Sequence, residues 1–196
     1  MKNDTHPKDK YLLAFLSNAA FDGWTMEALS ATAKSLDMDL AEMQTIYPQG
    51  TESVIQHFMA WVDAQMLKKA KGKKFAALKV REKIAFCVQT RLEFLAPHKE
   101  AVRRLQIYFS QPLNVPFGIK ILAQTCDHIW LACGDTSTDF NFYSKRILLS
   151  GVYTSTIFYW LRDSSPDHGK SWKFLQNRIK NVLALGRAFP FKKKSV

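Results

Sequence analysis

The sequence lacks the motifs that would mark an enzyme. No HExxH or ExxH pair sets two metal ligands on one helix face, and CxxC, GxSxG, GxGxxG and the P-loop are all absent. The histidines, His6, His57, His98, His128 and His168, are scattered, with none four residues from another. Asp135 with Asp139, and Asp163 with Asp167, fall at expected helix boundaries, where capping accounts for them better than paired catalysis. The reading is therefore a non-enzyme that needs no cofactor and no metal.

Other absences narrow the class. Three cysteines, Cys87, Cys126 and Cys133, make no paired framework, so buried thiols in a reducing cytoplasm are expected. The start, MKNDTHPKDKYLLAFL, has acids among its lysines and no long apolar run, which is neither a signal peptide nor a transit sequence. A bacterial cytoplasmic protein is expected. Between Arg146 and Arg162 lie fifteen residues without a charge. As a helix that run rises only about 22 Å, short of a hydrocarbon core of roughly 30 Å, and five of its residues are Ser, Thr or Gly. It does not span a membrane.

Alternating strand patterns are missing too, and helical spacing runs nearly throughout. Helices are expected at 9–21, 26–36 behind Thr25, and after Asp39, whose partner Glu42 makes a capping-box start. A long one runs from Thr51 to about Lys71, and others at 75–96, 99–110, 117–133, 139–162 and 169–187. The fold class is all-α, with about nine helices. A three-helix head over 1–50 precedes a larger helical body over 51–187 and a basic tail over 188–196.

The head has a helix-turn-helix layout, resembling tetracycline-repressor-like regulators. Yet residues 22–52 hold six acids against the single cation Lys34, net −5. Binding DNA requires neutralising phosphates, and the third helix, LAEMQTIY, offers only Gln44 and Thr45 to base edges. This argues against nucleic acid as a partner.

The positive charge lies elsewhere, within an overall balance of +11. Residues 68–83 carry eight cations against the lone Glu82, net +7, and the tail sets Lys192, Lys193 and Lys194 beside Phe189 and Phe191. Basic segments beside aromatics are drawn to anionic lipid headgroups. The tail residues are therefore candidate contacts for an anionic membrane surface, with a solvated hinge and tail as the plain alternative.

On a helix from 139 to 161, Phe140, Tyr143, Ile147, Thr154, Ile157 and Leu161 share one face while Phe142, Leu149, Val152, Tyr153, Thr156 and Trp160 fall on others. A helix apolar around most of its circumference is covered on more than one side. Periodicity favours core plus a dimer contact, and leaves an apolar ligand as the alternative. Trp130, Tyr143, Ile147, Tyr153 and Trp160 are the candidate lipid contacts, within a cavity expected between helices 75–96, 117–133 and 139–162.

GDTSTDFNFYSKR, then the run from Asp163 through Ser164, Ser165 and Pro166 to Asp167, then Trp172, Phe174-Leu175 and Arg178, together with the Gly23-Trp24-Thr25 turn, resemble the coenzyme Q biosynthesis lipid-binding accessory family, mitochondrial and alphaproteobacterial. The likeness extends over roughly residues 8–187. It implies a tetracycline-repressor-like fold without DNA binding, a cavity for isoprenoid quinone intermediates, homodimerisation, and delivery of the lipid to a membrane-associated ring hydroxylase. The family's STDFNWY motif faces that hydroxylase; carried over, Asp139, Phe142 and Tyr143 are partner-binding residues, with Phe142 standing where the family has Trp. Arg146 is taken as a surface or partner group beside them. Mitochondrial members continue into an amphipathic membrane-binding helix, whereas FPFKKKSV leaves the expectation of weak, reversible contact at the inner face of the cytoplasmic membrane. The competing reading is a transcriptional regulator with an apolar effector pocket.

Overall fold

The structure, a computed structural model, describes residues 8–138 and 140–188. The described residues form ten α-helices and three 3-10 turns joined by short connections, with no strand among them. Asp139, Phe189, Phe191, Lys192, Lys193 and Lys194, named above as partner and membrane contacts, lie outside the described residues.

Local capping chemistry sets the first three helices. α1 (Asp9–Asp22) stops at Gly23, whose φ of 76° returns the chain, and Thr25 caps α2 (Met26–Ser35) by accepting the Ala28 N–H. Asp39 and Glu42 exchange side-chain and backbone bonds to open α3 (Leu40–Ile46). Between α2 and α3 the Met38 N–H reaches the Ala33 carbonyl and the Asp37 N–H that of Lys34, a Schellman stop with Asp37 held at φ 53°. A side chain there is unfavourable, so Asp37→Gly is expected to raise stability by about 1 kcal/mol, read as a higher midpoint in urea. A lower midpoint would mean the Asp37 side chain stabilises the turn.

α4 (Thr51–Lys69) is followed by a break the sequence reading did not place. Instead of one helix over 75–96 there is a single turn, α5 (Lys73–Ala76), then α6 (Val80–Leu95). The cause is local: Gly72 adopts φ 98°, and Glu82 reaches back to accept the Lys79 N–H at 3.0 Å, opening a fresh helix at Val80. α7 (Lys99–Ser110) follows the Pro97 turn, and α8 (Val115–Ala132) begins two residues earlier than expected. Pro116 sits in its first turn, where a missing N–H costs nothing. α9 (Phe140–Arg162) and α10 (Gly169–Ala188) complete the chain.

The described residues divide into two compact units, those up to 65 with 93–121, and 66–92 with those from 122 on, so the divisions fall within α4, α6 and α8. In the first unit, buried Trp24 donates to the Ala101 carbonyl at 2.9 Å and lies between Phe15 and Phe58. The Gly23-Trp24-Thr25 turn thus fastens α1 and α2 onto α7. Buried Asp9, His57 and the Tyr47 hydroxyl form a second tie at 3.1 and 2.9 Å. Burial, ahead of the nearby Asp9 charge, pushes the Tyr47 hydroxyl well above its ordinary pKa, so it stays protonated. Glu27 of α2, Asp37 and Asp39 of the turn, and Glu42 of α3 are all exposed, so the acidic character read from the sequence is a surface property.

In the second unit all three cysteines are free and buried. Burial pushes the Cys126 thiol up to about 12, which keeps it protonated and inert.

Candidate functional site

α9 answers why an uncharged run should exist in a small basic protein. Its inner stripe, Leu149, Val152, Tyr153, Thr156, Ile157, Trp160 and Leu161, is buried at helical spacing. Its outer stripe carries Tyr143, Ile147, Gly151 and Phe158, all exposed. The hydroxyls of Ser150 and Ser155, between the stripes, and of Thr156, within the inner one, donate to the helix's own carbonyls at Ile147, Gly151 and Val152, at 2.7 to 2.8 Å. Uncharged polar groups thus satisfy themselves locally, and the helix is amphipathic in burial without being so in charge.

Beside the N-terminal half of that stripe lies a cavity of about 470 Å³. Its floor is apolar: Ile84 of α6, Leu149 and Val152 of α9, and Ile179 of α10 are each less than a tenth exposed. Trp130 of α8 forms a side wall, with its indole N–H donating to the Lys145 carbonyl at 3.2 Å and so turned away from the need for another acceptor. The rim holds Val80, Arg81 and Leu183; besides Arg81, the polar lining residues are Asn141, Ser144 and Lys145, together at the start of α9. Lys145 is itself occupied, its ammonium on Asp135 and Ser137 at 2.6 Å each. Such a site admits a predominantly apolar ligand with one polar end.

Two anchored turns hold these walls. At the α8 to α9 connection, Gly134 at φ 84° closes a Schellman stop in which the Asp135 N–H reaches the Trp130 carbonyl. Burial alone would raise the Asp135 pKa, but bonds from Lys145, Ser137 and Arg146 overcome it and hold the carboxyl at about 2. At the α9 to α10 connection, buried Asp163 accepts the Ser165 N–H and hydroxyl on one oxygen and those of Ser171 on the other, at 2.6 to 2.9 Å. Burial again opposes the charge, and these four donors hold the carboxyl far below the usual carboxylate range. Ser171 stands in the first turn of α10, so the charge also meets the favourable end of that helix. Asp163 thus caps the start of α10, while Asp135 ties its turn to α9 through Lys145 and Arg146.

The sequence-derived lipid contacts separate. Trp130 lines the cavity. Tyr153 and Trp160 are buried elsewhere in the packing: the Tyr153 hydroxyl accepts from the buried Arg91 Nε at 3.0 Å, and Trp160 packs edge-on to His168. Tyr143 and Ile147 are 64% and 69% exposed, on the outside of α9. They cannot line a cavity on its inner side.

Of the partner set, Tyr143 is exposed and Phe142 half-buried, its ring meeting Tyr143 edge-on at 5.1 Å. Arg146 is not a surface group. Its guanidinium binds Asp127 and Asp135, donates to the Phe142 carbonyl at 3.1 Å and stacks 3.4 Å above the Phe142 ring. It joins α8, the connecting turn and the start of α9, and Phe142 is its platform. The wall from α10 was missed, although Leu175, Ile179, Val182 and Leu183 recur at helical spacing and would have pointed to it.

Comparison with known proteins places this architecture. The crystal structure of a TetR transcriptional regulator from Nitrosomonas europaea superposes with a TM-score of 0.74, covering 90% of this chain and 98% of that one at 21% identity. The fold is therefore that of the TetR-like all-α proteins. The COQ9 family model matches residues 115–186, which include α8, the Asp135 turn, α9 and the Asp163 turn. "Ubiquinone biosynthesis protein COQ9, mitochondrial" from Bos taurus is 32% identical over 184 residues, 90% of this chain and 57% of that protein. The Homo sapiens protein of the same name is 31% identical over 184 residues, and "COQ9-B, mitochondrial" from Xenopus laevis is 33% identical over 188, 64% of its length. The chain is thus similar to COQ9 proteins over about nine tenths of its own length, and it spans a little under three fifths of the length of the bovine relative.

Proposed function

We propose that this chain is a non-catalytic accessory protein of ubiquinone biosynthesis that binds an isoprenoid quinone intermediate and presents it to a membrane-associated ring hydroxylase. The observation that carries this reading is the apolar cavity of about 470 Å³ walled by α6, α8, α9 and α10. Its long apolar floor suits a prenyl tail, and the Asn141, Ser144 and Lys145 end suits a ring with hydroxyl or carbonyl groups. The relatives' names supply the pathway. Exposed Tyr143, with Phe142 beneath it and Asp139 preceding them, is the surface offered to the hydroxylase. The outer stripe of α9, with Ile147 and Phe158, is apolar enough to serve a homodimer. The cytoplasm and the inner face of the bacterial membrane are the corresponding locations. No helix among the described residues is long and apolar enough to cross a membrane.

The fold alone would equally serve a regulator with an apolar effector pocket, and that reading predicts salt-dependent duplex binding. The exposed carboxylates of α2 and α3 oppose it. Lipid extraction and native mass spectrometry on protein from a quinone-producing host test the proposal. Bound isoprenoid quinone or precursor is expected; a lipid-free chain that binds duplex DNA would overturn it.

A further inference from the structure

The sequence singled out residues 68–83 for their charge, and the cavity does not by itself account for it. The structure gives this segment a defined shape and position. Lys68 and Lys69 end α4, Lys71 lies in the turn, Lys73 and Lys74 are on α5, and Lys79 and Arg81 open α6; all seven are exposed. Phe75 is buried and packs against Phe86 at 5.4 Å, so α5 is pinned to α6 and the cations project from an ordered corner. Glu82, the lone acid, is engaged within the corner by the Lys79 N–H at 3.0 Å and by Arg81 at 3.8 Å.

The position is the telling feature. Val80 and Arg81, at the end of this segment, are the rim of the apolar cavity, and Ile84 one turn further on is its floor. Val80 is 52% exposed and Leu183, across the rim, 44%. The mouth therefore combines exposed aliphatic groups with a field of cations.

Resting on the lipid-carrier reading, we propose that this corner is the face by which the cavity docks on an anionic phospholipid bilayer, the mouth opening toward the membrane from which the ligand is drawn. A bilayer satisfies both halves of the surface: phosphates meet the lysines, while Val80, Leu183 and the cavity behind them meet the acyl region. A nucleic acid duplex would satisfy the charge and leave the apolar rim and the cavity without a partner. Docking at this corner also gives a poorly soluble ligand a route between membrane and cavity without crossing water.

The test is co-sedimentation of the full chain with vesicles of phosphatidylcholine alone and of phosphatidylcholine with phosphatidylglycerol. Binding is expected only with the anionic lipid and is expected to fall with added salt. The variant Lys71→Gln/Lys73→Gln/Lys74→Gln removes three exposed cations away from the cavity lining. It is expected to weaken vesicle binding on the order of 100-fold, at about 1 kcal/mol per cation, with unchanged melting temperature and unchanged extractable ligand. Lys192→Gln/Lys193→Gln/Lys194→Gln is the comparison for the tail. Wild-type vesicle binding by the corner variant would overturn the proposal, as would a loss confined to the tail variant or a preference of the wild-type chain for duplex DNA over vesicles. A chain that carries no lipid yet still binds vesicles through this corner would sink the carrier reading while leaving the docking surface standing.

Discussion

Replacing Asp163 by alanine is expected to lower stability by about 4 kcal/mol, with a fall in melting temperature of about 10 °C. The carboxylate is buried and accepts four hydrogen bonds, two from Ser165 and two from Ser171. Its removal leaves the Ser171 N–H in the first turn of α10 without an acceptor, and α10 supplies Ile179, Val182 and Leu183 to the cavity. Asp163→Asn is the sharper probe, because it keeps the volume but turns one acceptor into a donor facing donors; about 3 kcal/mol is expected. The pH dependence follows from the depressed pKa of the folded state. The stabilisation is fully present above the unfolded value near 3.9 and is lost as pH falls through the lower folded value. Asp135, held at about 2, adds to the same acid limb between roughly pH 4 and 2. Asp163→Asn should therefore make stability flatter with pH below about 4. A variant within 1 kcal/mol of wild type, with an unchanged acid limb, would show that the loop closes α9 onto α10 without this carboxylate.

Arg146→Ala is expected to cost about 3 kcal/mol, through two separate losses. One is electrostatic: Asp135 is 4% exposed at its side chain and keeps only Lys145 and Ser137, while Asp127, at 41%, is rehydrated. The other is packing, since the guanidinium stacks on Phe142. Arg146→Lys should recover less than half, because an ammonium cannot bridge both carboxylates while lying flat on a ring. Adding Asp135→Asn to Arg146→Ala should cost less than the separate losses combined, the mark of a shared network. Additive losses in urea titrations of the single and double variants would show the two groups to be independent. Phe142 stands on the same network, so a Phe142 variant tests the platform of Arg146 as much as any partner contact, and exposed Tyr143 is the cleaner probe of the proposed hydroxylase contact.

The parts of the fold legible in the sequence are those fixed by bonds within a few residues. Thr25, the Asp39 and Glu42 pair, and Pro97 each end or start a helix by chemistry that needs no tertiary partner, and the helices lie where those residues put them. The break between α5 and α6 has the same kind of cause in Gly72 and Glu82, but the continuous apolar spacing of the segment obscured it.

The faces of α9 were harder to read because hydrophobicity scarcely varies around the helix. The outward stripe is marked instead by Gly151 and is flanked by Ser150 and Ser155, whose hydroxyls bond to the helix itself. Arg146 shows the opposite limit. Arginine ordinarily lies at the surface, and only the arrival of Asp127 from α8 and Asp135 from the turn makes it an interior group, which helical spacing within α9 alone does not reveal.

The central claim is that a lipid occupies this particular cavity. Leu148 lines it and is half-buried, so Leu148→Trp fills space at a cost within the ~1–3 kcal/mol of ordinary overpacking. The most direct test is native mass spectrometry with lipid extraction on the wild-type and Leu148→Trp chains from the same quinone-producing host. The account predicts isoprenoid quinone or precursor on the wild-type chain and severalfold less on the folded variant. A wild-type chain that carries no such lipid, or equal loading of the two, would contradict it.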